Sequence, residues 1–261
     1  MIGAIAGDII GSIYERRPIK TKEFPLFSPF CRFTDDTVLT VAVAEAIMTG
    51  RSYLEAVREI GRRYPDAGYG GTFIRWLHAA SSEPYNSWGN GSAMRVSPVG
   101  FAFDSQEDVL REAALSAEIT HDHPEGIKGA QATALAVFMA RTGQSKDEMR
   151  AEIAARFRYN LDRSVDSIRP GYAFDVSCQG TVPEAIVAFL DSTSYEDAVR
   201  SAISLGGDSD TLACITGAIA EAFYGGVPRE IQDRAEQHLP PDLREITNRF
   251  LLQYRAKPAH E

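Results

Sequence analysis

Apolar positions along this chain recur mostly at helical spacing. Residues 2–14 are apolar nearly all round, the pattern of a buried helix. Gly3, Gly7 and Gly11 recur every four residues within it. They form a ridge where a second helix backbone can come close, at a helix cost of roughly 1 kcal/mol per glycine relative to alanine. Glu15 follows directly, and residues 16–32 hold Pro18, Pro25 and Pro29 and read as a loop. Thr34 fits an N-cap, with Asp35 and Asp36 in the first turn, an apolar run over 38–48, and Gly50 as the stop. Ser52 with Glu55 reads as a capping box for a helix ending near Arg63. A glycine-rich loop over 64–71, a short helix over 72–82 and an irregular loop over 83–92 follow.

Ser105 with Asp108 starts a helix that ends near Thr120. His121 to Pro124 make a turn, and Pro124 suits the first turn of a helix reaching about Arg141. Ser145 with Glu148 starts another helix. Residues 163–180 lack clear periodicity and read as a loop over the site. Helices are expected to begin at 181–184 and 194–197, the second ending at Gly206-Gly207. Asp208 opens an apolar helix to Tyr224, and helices over 228–238 and 242–255 close the chain. Period-two strands are scarce and the connections are short, so the expected architecture is all-α, one compact multi-helix domain over residues 1–261.

Composition narrows the function classes. The chain has 261 residues, 44% hydrophobic and 24% charged, which is ordinary for a soluble globular protein. No apolar run is long enough to span a membrane. The apolar N-terminus lacks a basic flank and is interrupted by Asp8, so a signal peptide is not expected. Cys31, Cys178 and Cys214 are odd in number and widely spaced, which suits a reduced cytoplasm. Cys178 and Cys214 read as buried thiols, not nucleophiles. A net charge of −9 argues against extended nucleic-acid binding but leaves room for one nucleotide held by backbone amides and metal.

Two acidic clusters carry the chemistry. Thr34-Asp35-Asp36-Thr37 and Asp208-Ser209-Asp210-Thr211 each open an apolar helix. Asp, Ser and Thr at a helix start are ordinary caps, and acids there complement the helix dipole. These clusters carry more acid than capping needs and stand against apolar runs, where carboxylates repel one another unless paired or metal-bound. All-oxygen side chains favour hard cations such as Mg²⁺, Mn²⁺ or Ca²⁺ over Zn²⁺. Asp35, Asp36, Asp208 and Asp210 together balance two divalent cations, with Thr34 and Thr211 adding neutral oxygens. His121 and His123 lack a nearby cysteine or an i, i+4 partner. They read as a polar turn or a substrate contact, with a plain surface turn as the alternative.

Taken in order, five motifs resemble the ADP-ribosylglycohydrolase family. They are Gly7-Asp8 with Gly11 and Glu15, then Thr34 to Thr37, Asn90-Gly91-Ser92-Ala93-Met94-Arg95, Thr120-His121 with His123-Pro124, and Gly206 to Thr211. They span nearly the whole chain. The resemblance implies a compact all-α fold, a binuclear Mg²⁺ or Mn²⁺ centre, and cleavage of the glycosidic bond between ADP-ribose and a modified acceptor, releasing ADP-ribose. It matches Thr34, Asp35, Asp36, Asp208, Asp210 and Thr211 to the metal ligands. Glu15, Asp36 and Asp208 become the catalytic candidates. Gly68, Tyr69 and Gly70 match a loop approaching the diphosphate, and glycine there lets backbone amides reach phosphate oxygens. Asn86, Ser87, Gly89, Asn90 and Gly91 match the segment lining the ribose and phosphates. Trp88 falls where an aromatic stands near the adenosine, with core packing as its alternative, and His123 matches a histidine lining the ligand cleft.

One departure bears on the acceptor. Relatives acting on ADP-ribosyl-arginine often carry Asp three positions before the Asn of the Asn-Gly pair, where this chain has Ser87. Members cleaving O-linked ADP-ribose can carry Ser there. The acceptor side falls on the loops over 16–33 and 163–180. Arg16 and Arg17 there are acceptor contacts or solvated loop charges. The expected partners are an ADP-ribosylated protein or other acceptor and ADP-ribose as product, with a cytoplasmic monomer and no membrane. Two rival readings are a binuclear-metal hydrolase of nucleotides or phosphoesters and a non-catalytic ADP-ribose-binding relative.

Overall fold

The computed structural model describes residues 1–254, so the end of the last expected helix at Arg255 lies outside the described residues. Among the described residues, the chain forms α1 (Ile2–Gly11), α2 (Asp35–Thr49), α3 (Tyr53–Arg63), α4 (Gly71–His78), α5 (Gly91–Met94), α6 (Ser97–Ala102) and α7 (Gln106–Glu118). Then come α8 (Pro124–Arg141), α9 (Lys146–Phe157), α10 (Val165–Ile168), α11 (Cys178–Leu190), α12 (Tyr195–Ile203), α13 (Ser209–Phe223), α14 (Arg229–Gln237) and α15 (Pro241–Gln253). The only β pairing among the described residues is an isolated antiparallel bridge between Gly89 and Ser177. One continuous hydrophobic core runs through the all-α domain.

The centre is the pair α1 and α13. Every residue of α1 is buried, as its all-round apolar pattern implies. The glycine ridge is the reason the two helices lie so close. A Cβ on Gly3 would meet the carbonyl of Gly217, one on Gly7 the carbonyl of Ala213, and one on Gly11 the carbonyl of Ser209 and the Cα of Asp210. Each step of four up α1 is a step of four down α13, so the helices run antiparallel with four-residue ridges facing. That register brings the C-terminal end of α1, with Asp8 and Glu15, to the N-terminal start of α13. At the far end, Glu221 accepts from the Met1 ammonium at 2.5 Å and from the Gly3 amide at 2.7 Å.

Around this pair, α13 also packs on α8, α11 and α12, while α2 packs on α3 and α15. Several expected caps form. Ser52, Ser105 and Ser194 each accept from the amide three residues on, and Ser145 with Glu148 completes a reciprocal capping box. Gly50 ends α2 at φ 69°. Several boundaries differ from the sequence pattern; α12, for one, ends at Ile203, before Gly206-Gly207, and α5 and α6 are short helices that the pattern did not announce. Helix α4 ends at His78, because Ala79 adopts an extended backbone. Helix α11 starts at Cys178, because Ser177 rather than Thr181 is the N-cap and Pro183 is absorbed into the second turn. The stretch over 163–180 contains the short α10, capped by Ser164.

Candidate active site

The starts of α2 and α13 face each other across a cleft of about 430 Å³. Thr34, the N-cap of α2, accepts from the Asp36 amide, and the Asp35 amide donates to the Ala67 carbonyl at 2.9 Å. This first turn is anchored from below by Asp8. Thr34 donates to Asp8 from its amide at 2.9 Å and its hydroxyl at 2.6 Å. Thr37 donates from its amide at 3.2 Å and from its hydroxyl as well. A carboxylate holding four donors is already satisfied, so Asp8 chiefly fixes the position of α2. Asp8 lies in the family motif but is not among the expected site residues. An acid inside an otherwise apolar helix, with no basic residue a turn away, was the signal that it needed partners from elsewhere.

The other carboxylates are far less satisfied. Asp36 is 2% exposed; its Oδ2 accepts only long contacts of 3.4 Å from Thr34 and Thr211, and its Oδ1 has no partner. Asp208 holds the N-cap position of α13 yet makes no side-chain capping bond. Its Oδ2 instead accepts from the Asn90 side-chain amide at 2.7 Å, an amide that also donates to Thr181 at 3.1 Å. Asp210 is buried beside it. No ion pair among the described residues involves Asp8, Glu15, Asp35, Asp36, Asp208 or Asp210.

Burial of so many unpaired acids has an electrostatic cost. Desolvation pushes Asp8 up to about 6, against the pull of its threonine donors. Desolvation and then the neighbouring Asp8 push Asp35 up to about 8. Asp36 and Asp210 are raised well above the carboxylate range by burial and by their acidic neighbours. Asp208 is raised, chiefly by burial, and half-buried Glu15 is raised by desolvation and by Asp208.

The donor set fits hard divalent cations. Oxygens of Asp8, Asp36 and Asp210 lie within 4.8 Å of one another, and so do oxygens of Glu15, Asp208 and Asp210. Asp210 belongs to both triads, so acid oxygens from α13 meet those of α2 and of Glu15, an all-oxygen donor set, while Asp8 enters the first triad with its oxygens already held by Thr34 and Thr37. Asp35, Thr34 and Thr211 line the same cleft, with Asp35 outside both triads.

Of the expected ligand-lining residues, Gly68, Gly70, Ser87, Gly89, Asn90 and Gly91 line the cleft. Tyr69 does not. It is buried against Phe73 and donates its hydroxyl to the Gly61 carbonyl at 3.1 Å. Asn86, at φ 53°, and Trp88 also fall outside the lining; Trp88 is 53% exposed, with its ring 5.5 Å from that of His123. Trp88 therefore does not pack in the core. His123 is the N-cap of α8, and its Nδ1 accepts from the Glu125 amide at 3.1 Å. The histidine on the cleft wall is His121, 5% exposed, with burial and the nearby Arg95 charge holding its pKa well below the usual value. The cap position before Pro124 was the local sign that His123 would be engaged by the helix. Cys178 and Cys214 are buried, and burial pushes the Cys178 thiol up to about 12.

Comparisons with known proteins point to one family. A family model described as ADP-ribosylglycohydrolase matches residues 1–260. The human ADP-ribosylhydrolase ARH3 is 27% identical, over 93% of this chain and 90% of that protein. An uncharacterized protein of Archaeoglobus fulgidus is 31% identical, over 75% of this chain and 73% of its own length. An ADP-ribosylarginine hydrolase of Pseudomonas putida is 24% identical, over 95% of this chain and 77% of that protein. A solved structure described as an ADP-ribosylglycohydrolase-related protein complex superposes with a TM-score of 0.72 at 22% identity, covering 97% of each chain, and so shares the fold.

Proposed function

The chain belongs to the ADP-ribosylglycohydrolase family, and from that premise we propose that it removes ADP-ribose from a modified acceptor by hydrolysing the glycosidic bond at the distal ribose, with two divalent cations, Mg²⁺ or Mn²⁺. The observation that carries the reading is the convergence of buried Asp36, Asp208 and Asp210, none of them in an ion pair among the described residues, on one cleft with Asp35 and Glu15. Thr34, Asp35 and Asp36 from the start of α2, and Asp208, Asp210 and Thr211 from the start of α13, would hold the cations. Bound cations of this kind polarise water and hold vicinal hydroxyls.

The chain's own residues then have separable tasks. Asn90 holds one oxygen of Asp208 and so sets the direction of the other. Glu15, half-buried on the edge of the cleft with its pKa raised, takes a proton from the attacking water, with Asp36 as the alternative base. Carboxylates around the anomeric carbon stabilise the oxocarbenium-like charge that develops there. The backbone at Gly68, Gly70, Gly89 and Gly91 has no side chain to keep phosphate oxygens away. A cleft of about 430 Å³ is in the range of small-molecule sites. Ser87 lines it and accepts from the Gly89 amide at 3.1 Å, and a serine there favours an O-linked acceptor over arginine.

The test is a panel of Ser-linked, Arg-linked and nucleic-acid-linked ADP-ribose, with free nucleotides as controls, each with Mg²⁺, Mn²⁺ or chelator. Cation-dependent release of ADP-ribose, fastest from the Ser-linked substrate, is expected. Release of AMP or phosphate would transfer the site to nucleotide chemistry.

A further inference from the structure

Beside the acidic floor, the cleft wall contains a buried chain of hydrogen bonds that the reaction as described does not use. Arg95 is 0% exposed and forms none of the ion pairs found among the described residues. Its Nη2 donates to the Ser116 carbonyl at 2.7 Å and to the Thr120 hydroxyl oxygen at 2.9 Å. Its Nε and Nη1 have no partner. Thr120 is also fully buried, and its hydroxyl lies 2.7 Å from His121 Nδ1.

We propose that Thr120, oriented by Arg95, is a positioning residue that locks His121 as the neutral Nε2–H tautomer and so presents a hydrogen-bond donor to the substrate cleft. Counting protons and lone pairs fixes the tautomer. A hydroxyl has one proton and two lone pairs. The Arg95 guanidinium can only donate, so it occupies one lone pair of Thr120. If His121 Nδ1 also carried a proton, it would occupy the second lone pair, and the Thr120 proton would be buried with no acceptor. Buried donors in folded proteins are rarely left so. The arrangement that satisfies every group sends the Thr120 proton to an unprotonated Nδ1. The imidazole proton then sits on Nε2.

The ring cannot gain a second proton cheaply, because it is buried beside the Arg95 charge. Its Nε2 end faces the loop that lines the cleft. A methyl group on Gly91 would stand 3.1 Å from Nε2, and one on Gly89 would stand 3.6 Å away. Glycine at both positions leaves that edge of the ring clear for a ligand acceptor. The consequence for binding rests on the reading of the cleft as an ADP-ribose site; the tautomer does not.

The experiment is nitrogen-15 NMR of the histidine side chains in the intact, ligand-free protein, with His121 identified by its loss in His121→Gln. The expected spectrum puts the pyridine-like shift on Nδ1 and the pyrrole-like shift on Nε2. Thr120→Ser keeps that pattern, because the hydroxyl is retained. Thr120→Val, nearly the same shape without the hydroxyl, moves it to a mixture of tautomers. A wild-type spectrum with the pyridine-like shift on Nε2, or a folded Thr120→Val protein with an unchanged pattern, overturns the proposal. In a parallel titration, Thr120→Val should weaken ADP-ribose binding by roughly three- to tenfold, one hydrogen bond's worth, while Thr120→Ser stays within about twofold of wild type. A wild-type protein that shows the expected tautomer but binds no ADP-ribose would sink the functional reading and leave the positioning role standing.

Discussion

At the start of α2, Thr34 accepts the Asp36 amide, donates to Asp8, and leaves Asp35 and Asp36 to face the cleft. At the start of α13, Asp208 occupies the matching N-cap position and caps nothing. Its oxygen is held by Asn90 from a different segment. One helix start is built from within its own turn and anchored from below; the other gives up its cap. An uncapped N-cap typically costs ~1 kcal/mol, and leaving several buried acids unpaired costs more. Helix dipoles soften the second cost, since both starts are positive ends near carboxylates. The same dipoles oppose a cation, so the formal charge of the carboxylates has to dominate. The acid at 208 does no helix capping, and its direction is set by Asn90.

The largest expected effect comes from separating charge from capping at position 208. Asn caps a helix as well as Asp does. If Asp208 served capping, Asp208→Asn would be nearly neutral. We expect instead a loss of about 10²–10³-fold in kcat, the scale of removing one preorganised charge contact, and loss of the rise in Tm on adding Mg²⁺ or Mn²⁺. Asp36→Asn should behave alike, and chelation of the wild-type protein should reproduce both effects. Survival of metal-induced stabilisation in both variants would show that the cations are held elsewhere.

A second, smaller effect probes how the two starts are brought together. Gly7→Ala sets a methyl group against the Ala213 backbone carbonyl, where no flexible side chain can yield. We expect about 3 kcal/mol of destabilisation, or roughly 6–12 °C in Tm, measured by thermal unfolding with and without cation. An unchanged Tm would mean that α1 and α13 are not in this register.

The acids themselves predict a pH signature. Asp8 and Asp35 have folded pKa values raised from 3.8 to about 6 and about 8. An acid raised on folding binds more protons in the native than in the unfolded state, so its effect on stability becomes unfavourable as pH rises. Metal-free protein should therefore lose several degrees of Tm between about pH 4 and pH 8, and saturating Mg²⁺ or Mn²⁺ should flatten the slope. A metal-free Tm that climbs through that window contradicts the burial of unpaired acids.

The smallest effect is the control. Ser145 is an ordinary N-cap with a complete capping box at the exposed start of α9. Ser145→Ala should cost ~1 kcal/mol in urea unfolding and leave hydrolysis and cation response unchanged. A change in activity there would blur the contrast between a cap and a ligand.

Much of this was legible in the residues. Ser105, Ser145 and Ser194 cap the helices that their spacing announces, and Gly50 stops α2, because these signals act within one turn of backbone. The ridge of Gly3, Gly7 and Gly11 announced a close partner helix but not which one. The two acidic starts were visible as excess acid before apolar runs, and their meeting followed from charge balance and the motif order. Other assignments were not legible. The motif at 120–124 offers two histidines, and only the fold turns His121 to the cleft while α8 engages His123. Tyr69 sits between two cleft-lining glycines, yet its ring lies in the core.

Residue pattern alone was enough for the helices, most of their caps and the all-α class, because each depends on backbone hydrogen bonding and on periodic burial along a short stretch. Tertiary structure alone decided that α1 and α13 run antiparallel in steps of four, that Asp8 is spent on Thr34 and Thr37, and that Asp210 is shared by both triads. Those outcomes depend on where side chains point after distant segments pack. No local pattern encodes that direction, since it is chosen by the close packing of the whole core.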